Sequence, residues 1–251
     1  MALRGATMPD QAPKGASPGA QLSLRRFPDA ASQAAAVAEE LAAALRQAIA
    51  ERGTASLVLS GGRTPELMLA VLATRPLPWP QLQITLVDER FVAVSDPASN
   101  EHLIRTSLLR DAAGAARFYG LMSEAEDPPA AAAAAWKRLA QIPRPFDVVM
   151  LGMGEDGHFA SLMPGSAGLQ AALTEEADPA CIATHPPLAP YERLSLNLAA
   201  LLQSRSVRLQ INGAAKWALY QRALAAGDRE ELPIRAVLRQ SRVPVVVYWS
   251  P

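Results

Sequence analysis

The chain has 251 residues, half of them apolar and 19% charged, with 24 Lys plus Arg against 24 Asp plus Glu. That composition is globular and long enough for one large core. The even charge balance offers no basic face to nucleic acid or a membrane surface, so any anion site must be local. The single cysteine, Cys181, excludes a disulfide framework or a cysteine metal cluster and reads as a small buried core residue. No stretch of bulky apolar residues is long enough to predict a membrane span.

Residues 1–20 contain Pro9, Pro13 and Pro18 and no apolar core of a signal peptide. They predict a poorly ordered tail on a cytoplasmic protein, with a single domain over residues 21–251. Leu22 to Phe27 alternates weakly, as an edge strand does. Pro28-Asp29 opens a long alanine-rich helix with Val37, Leu41, Leu45 and Ile49 on one side. Gly53 stands where a C-cap is expected.

Ser56 to Leu59 predicts a buried strand that runs into Ser60-Gly61-Gly62-Arg63-Thr64-Pro65 and then a helix. Thr64 is the expected N-cap and Pro65 the expected first helical residue. A glycine turn feeding a helix start presents free backbone N–H groups and the positive end of the helix dipole. It is a phosphate cradle or an ordinary capped turn. It is not a Walker loop, since no Gly-Lys-Ser/Thr follows.

Residues 76–80 form a proline-rich connector. Leu82 to Val87 predicts a third strand, and Asp88-Glu89-Arg90 reads as solvated charge at its end. Asn100 lies at the start of a helix through Leu109, with Ser99 or Asn100 as cap. His102 reads as structural. Arg117 to Tyr119 predicts a short strand and residues 128–141 a helix.

Phe146 to Leu151 is an apolar run typical of a strand buried on both faces. Gly152, Gly154 and Gly157 then fall within six residues, with Asp156 and His158 among them. Three glycines in the G-x-G-x-x-G pattern after a strand suggest a dinucleotide loop. Pro164-Gly165 follows too soon for the long helix that motif requires, and Glu155 and Asp156 are unsuited to a pyrophosphate. The segment predicts a tight loop that delivers Asp156 and His158 to the carboxyl edge of a sheet, where open α/β sheets bind ligands. The bland alternative is a histidine that packs or faces solvent.

Residues 180–184 predict another strand, and His185-Pro186-Pro187 a turn. Tyr191 to Asn197 alternates as a half-exposed strand should, with Arg193, Ser195 and Asn197 on one face. Leu198 to Leu202 is helical and Val207 to Ile211 a strand. Asn212-Gly213 turns into a helix with Trp217, Tyr220 and Leu224 inward. Lys216 lies in its first turn, where a cation opposes the dipole. Either a bound anion removes that conflict or Lys216 is a screened surface lysine. A short helix through Gln240 and a strand over residues 243–249 close the chain. Strands alternating with helices predict a mostly parallel sheet covered on both faces.

Five segments in this order resemble the 6-phosphogluconolactonases. They are Ser60 to Pro65, Asp88-Glu89-Arg90 with Ser99-Asn100, Gly152 to Gly165, Arg193-Leu194-Ser195, and Gly213 to Lys216. The resemblance covers residues 22 to 251. It implies the three-layer α/β/α fold with a Rossmann-like sheet shared with glucosamine-6-phosphate deaminases, ribose-5-phosphate isomerases and CoA transferases. It also implies hydrolysis of 6-phosphoglucono-1,5-lactone in the oxidative pentose phosphate pathway, without a metal or other cofactor. The expected partner is that small molecule alone, bound by a monomer or weak homodimer.

The family often has Ser where Arg63 stands and Thr where Ser195 stands. On this reading His158 activates water, and Asp156 holds the imidazole or positions the sugar. Ser60, Gly61, Gly62, Arg63, Thr64, Arg90, Arg193 and Lys216 bind the phosphate end of the substrate. Asp88, Asn100, Gly154 and Gly157 belong to the loops around it. A sugar-phosphate isomerase or deaminase of the same fold is the nearest rival. Such deaminases place a glutamate before the Pro-Gly that follows the histidine, where this chain has Met163. A non-catalytic sugar-phosphate sensor is the other.

Overall fold

The computed structural model describes residues 22–125, 127–187 and 190–251. The tail expected over residues 1–20 and the side chain of Arg63 lie outside the described residues.

The elements in chain order are β1 (Leu22–Arg26), α1 (Ala30–Arg52), β2 (Ala55–Leu59), α2 (Arg63–Ala73), β3 (Leu82–Leu86), β4 (Asp88–Arg90), α3 (Asn100–Ser107) and β5 (Arg117–Tyr119). Then come α4 (Pro128–Leu139), β6 (Val148–Gly152), α5 (Leu169–Ala172), β7 (Cys181–Thr184), β8 (Arg193–Leu196), α6 (Leu198–Leu202), β9 (Val207–Asn212), α7 (Ala214–Leu224), α8 (Ile234–Arg239) and β10 (Val245–Ser250).

Local chemistry sets the longest helix. The Asp29 carboxylate accepts the Ser32 N–H at 2.7 Å, and Gly53 ends the helix with φ 75°. Its inward stripe of Val37, Leu41 and Leu45 is fully buried. Each such side chain contributes about 1.5–3 kcal/mol by leaving water.

Seven parallel strands form the central sheet in the order β1-β10-β9-β6-β2-β3-β5. From β2 the chain steps outward to β3 and β5, whereas from β6 it steps the other way to β9 and β10. The reversal opens a crevice between the carboxyl ends of β2 and β6, the usual place for a ligand in such sheets. Helices α1, α2 and α3 pack on one face. Helix α4 packs against β7 and β8, and α7 packs against β9 and α8. The core runs through both layers, with Leu57, Leu59, Ile84, Val149, Leu209 and Val247 at its centre. Among the described residues no helix is long and apolar enough to cross a membrane.

The structure corrects several local expectations. A second sheet, antiparallel and ordered β4-β8-β7, stands beside the first. Asp88-Glu89-Arg90 is therefore a paired strand, with Asp88 6% and Glu89 0% exposed, and not solvated charge. The strand β8 is buried throughout rather than half-exposed, because its polar face is covered as well. Asn197 leaves that strand to cap α6, accepting the Ala200 N–H at 2.9 Å. The N-cap of α2 is Gly62, at φ 100°, two residues before Thr64. Leu224 is exposed, and Ala223 takes the inward position on α7.

Candidate active site

A cavity of about 180 Å³ opens at the crevice between β2 and β6. Three neighbouring strands feed it from their carboxyl ends. From β6 comes the glycine loop with Gly152, Met153, Gly154 and His158. From β2 come Ser60, Gly61 and Gly62, followed by Thr64 and Pro65 on α2. From β9 comes Lys216, in the first turn of α7. Both α2 and α7 start on a glycine with positive φ, Gly62 at 100° and Gly213 at 88°, an angle that L side chains rarely adopt. The Ser60 hydroxyl accepts the Gly152 N–H at 3.2 Å and ties the two inner loops together.

The glycine loop shapes the imidazole. His158 Nδ1 lies 2.6 Å from Asp156 Oδ1, which also accepts the His158 backbone N–H at 3.1 Å. An ionised carboxylate only accepts, so a neutral imidazole carries its proton on Nδ1 and keeps the Nε2 lone pair free. Partial burial pushes the Asp156 carboxyl up. The His158 hydrogen bond and charge outweigh it and hold the carboxyl below the usual carboxylate range. Gly154 makes room for this pair. A Cβ there would stand 2.1 Å from His158 Nδ1 and 2.6 Å from Asp156 Oδ1. Gly157 turns the chain at φ 81° beside Leu232 and does not line the cavity. Asp156 likewise stands behind His158 rather than in the wall.

The small sheet closes the other side. Arg90 and Arg193 are opposite one another across β4 and β8, and Asp88 is opposite Ser195. Asp88, Arg90 and Arg193 all face the cavity. Arg193 is only 8% exposed, and among the described residues it has no ion-pair partner at contact distance. Burial pushes its guanidinium down, the charge of Asp88 favours it, and that of Arg90 opposes it. Arg90 is anchored through its guanidinium to the Ala98 carbonyl. Asp88 accepts the Ser161 hydroxyl at 2.5 Å and so braces the strand-end loop just after His158. Asn100 donates to the Asp88 carbonyl at 2.8 Å and lies against Gly61, where a Cβ would fall 1.9 Å from Asn100 Oδ1.

Thus Ser60, Gly61, Gly62, Thr64, Asp88, Arg90, Asn100, Gly154, His158, Arg193 and Lys216 meet at one cavity. His102 and His185 stand outside it. Sequence reasoning missed four wall residues, Pro65, Gly152, Met153 and Ala160. Ala160 carries φ 48°, a strained angle for alanine that no sequence signal announces. Among the described residues no group of three or more His, Cys, Asp or Glu side chains is placed to hold a metal.

This geometry accompanies a specific kinship. A family model described as glucosamine-6-phosphate isomerases/6-phosphogluconolactonase matches residues 28–249. The chain belongs to that family. Within the glucosamine-6-phosphate isomerase/6-phosphogluconolactonase family, it is 41% identical over 232 residues to the 6-phosphogluconolactonase of Pseudomonas aeruginosa. That match covers 92% of this chain and 96% of the relative. It is 43% identical over 233 residues to that of Mesorhizobium japonicum, covering 93% and 97%. The crystal structure of a 6-phosphogluconolactonase from Shewanella baltica superposes with a TM-score of 0.87 at 42% identity, covering 91% of this chain and 97% of that one. In this chain one imidazole and several cations face one small space.

Proposed function

We propose that the protein hydrolyses 6-phosphoglucono-1,5-lactone to 6-phosphogluconate, a step of the oxidative pentose phosphate pathway. The observation that carries this reading is the pairing, within one cavity, of an oriented imidazole with a buried cation that has no ion-pair partner at contact distance among the described residues. A buried charge is costly unless an opposite charge meets it. Arg193, assisted by Arg90, Lys216 and the N–H groups at the start of α2, suits a phosphate dianion. On this reading the far end of a six-carbon lactone lies toward the glycine loop.

The proposed chemistry uses His158 first as base and then as acid. Nε2 takes a proton from water while the hydroxide adds to the lactone carbonyl carbon. Charge develops on the carbonyl oxygen, which backbone N–H groups of the glycine loop are suited to receive. Collapse breaks the bond between that carbon and the ring oxygen. The proton on Nε2 passes to the departing ring oxygen, which becomes the new hydroxyl. Water is thereby split between acid and alcohol, and His158 returns to its starting form. Asp156 keeps the imidazole in the required tautomer and stabilises the imidazolium. Arg63 is assigned to the phosphate cradle on sequence grounds alone.

Met163 precedes Pro164-Gly165 and is buried, with no proton to give or take. That removes the partner a ring-opening deaminase needs. A monomer or weak homodimer is the expected form. The cytoplasm is the expected compartment for a phosphorylated sugar. Acid release at constant pH, from freshly made lactone with the spontaneous rate subtracted, tests the assignment. Release no faster than without enzyme would refute it.

A further inference from the structure

Glu89 lies between Asp88 and Arg90, so its side chain points to the face of β4 opposite the cavity. It is fully buried. Its carboxylate receives four donors. Oε1 accepts the Arg90 and Asn100 N–H groups, each at 2.7 Å. Oε2 accepts the Glu101 N–H at 2.7 Å and the Ser99 hydroxyl at 3.0 Å. Three of these donors are backbone N–H groups, which cannot reverse their polarity.

We propose that Glu89 is a positioning residue for phosphate recognition, holding Arg90, Asn100 and, through Asn100, the Gly61-Gly62 turn in one arrangement. This rests on the reading of the cavity as a phosphate site.

The connections run both ways from the carboxylate. One oxygen holds the backbone of Arg90, whose guanidinium then reaches back to the Ala98 carbonyl. The same oxygen holds Asn100, whose amide returns to the Asp88 carbonyl and whose Oδ1 fills the space a side chain at Gly61 would need. A shift of Asn100 is therefore felt at the start of α2, where Gly61, Gly62 and Thr64 line the cavity. Charge adds a second effect. Arg90 and Arg193 are register partners, and the Arg90 charge opposes that of Arg193, while Asp88 and Glu89 favour it. Glu89 thus helps two like charges stand together before any anion arrives. Burial holds the Glu89 carboxyl above the usual carboxylate range, and the N–H groups of Glu101, Asn100 and Arg90 offset part of that by favouring the charged form.

The full-length Glu89→Gln variant keeps the volume but sets an amide N–H₂ against at least one backbone N–H. KM for the lactone and the Kd of inorganic phosphate are both expected to rise about tenfold. kcat is expected to stay within roughly threefold of wild type. Glu89→Asp, which restores the charge, should recover part of the loss. Ser99→Ala removes one donor to Oε2 without touching the cavity, and should raise KM roughly two- to threefold.

A folded Glu89→Gln variant with KM and phosphate Kd within about twofold of wild type would overturn the proposal. So would a loss carried by kcat alone, the mark of a strut without a binding role. If Glu89→Gln does not fold, an unchanged KM in Ser99→Ala overturns it instead. A wild type without turnover or phosphate binding would sink the reading of the cavity itself, a different failure from a wild-type-like Glu89→Gln.

Discussion

Replacing Arg193 with methionine separates binding from stability. In the free protein Arg193 is 8% exposed with no ion-pair partner at contact distance among the described residues, and burial pushes its guanidinium down. Folding alone therefore gains little from its charge. On the proposed reading, the same group meets a phosphate once substrate binds. Removing one partner of a buried, hydrogen-bonded charge pair costs about 2–5 kcal/mol. The low end applies here, because Arg90, Lys216 and the start of α2 remain. About 2 kcal/mol corresponds to a roughly thirtyfold rise in KM. kcat should change by less than about threefold, since the phosphate is remote from the reacting carbon. Methionine fills a similar space without a charge to desolvate, so the melting temperature should hold or rise by about 2–4 °C. Steady-state acid release from the lactone gives the kinetic values, and thermal unfolding followed by circular dichroism gives the stability. An unchanged KM, or a large fall in melting temperature with normal KM, would show that Arg193 is structural.

Three further outcomes follow from the geometry. His158→Ala should lower kcat about 10²- to 10⁴-fold while 6-phosphogluconate still binds; near-normal turnover would remove it from the chemistry. Gly154→Ala places a methyl 2.1 Å from His158 Nδ1, so kcat should fall at least about tenfold with KM little changed. Equal loss in both constants would point to a collapsed loop. Burial pushes the Cys181 thiol up to about 12. A raised value favours the protonated thiol in the folded state, so at pH 8 only roughly one molecule in ten thousand carries the thiolate. A thiol-specific reagent should leave the native protein untouched and react after unfolding in urea. Rapid native reaction would contradict the buried placement.

The sequence made the parallel sheet legible because its signals are local. The buried runs at Leu57 to Leu59 and Val148 to Leu151, the Asp29 and Gly53 caps and the glycine turns all act within a few residues. The small sheet was not legible in this way. Nothing near Asp88 says that it will lie opposite Ser195, since that pairing is set across more than a hundred residues by packing. The same gap explains why β8 looked half-exposed. Alternation fixes which residues share a face, but not what covers it, and here the polar face is enclosed by the cavity wall. The sharing itself, Arg193 with Ser195, could be read. The cap of α2 was misplaced because Thr64 and Pro65 are good terminal residues, yet Gly62 reaches φ 100° and lets the helix begin sooner. Gly157 was grouped with the substrate loop by proximity, whereas its task is to turn beside Leu232.

The central claim is that one imidazole and a set of cations drawn from distant segments grip opposite ends of the same molecule. A crystal structure of the protein with 6-phosphogluconate bound tests this most directly. The phosphate should contact Arg193, Lys216 and the N–H groups at Gly61 and Gly62, with the carboxylate end within hydrogen-bond reach of His158 Nε2. A phosphate bound elsewhere, such as the groove beside Glu175 and Arg229, or a reversed sugar with its carboxylate on Arg193, would contradict it.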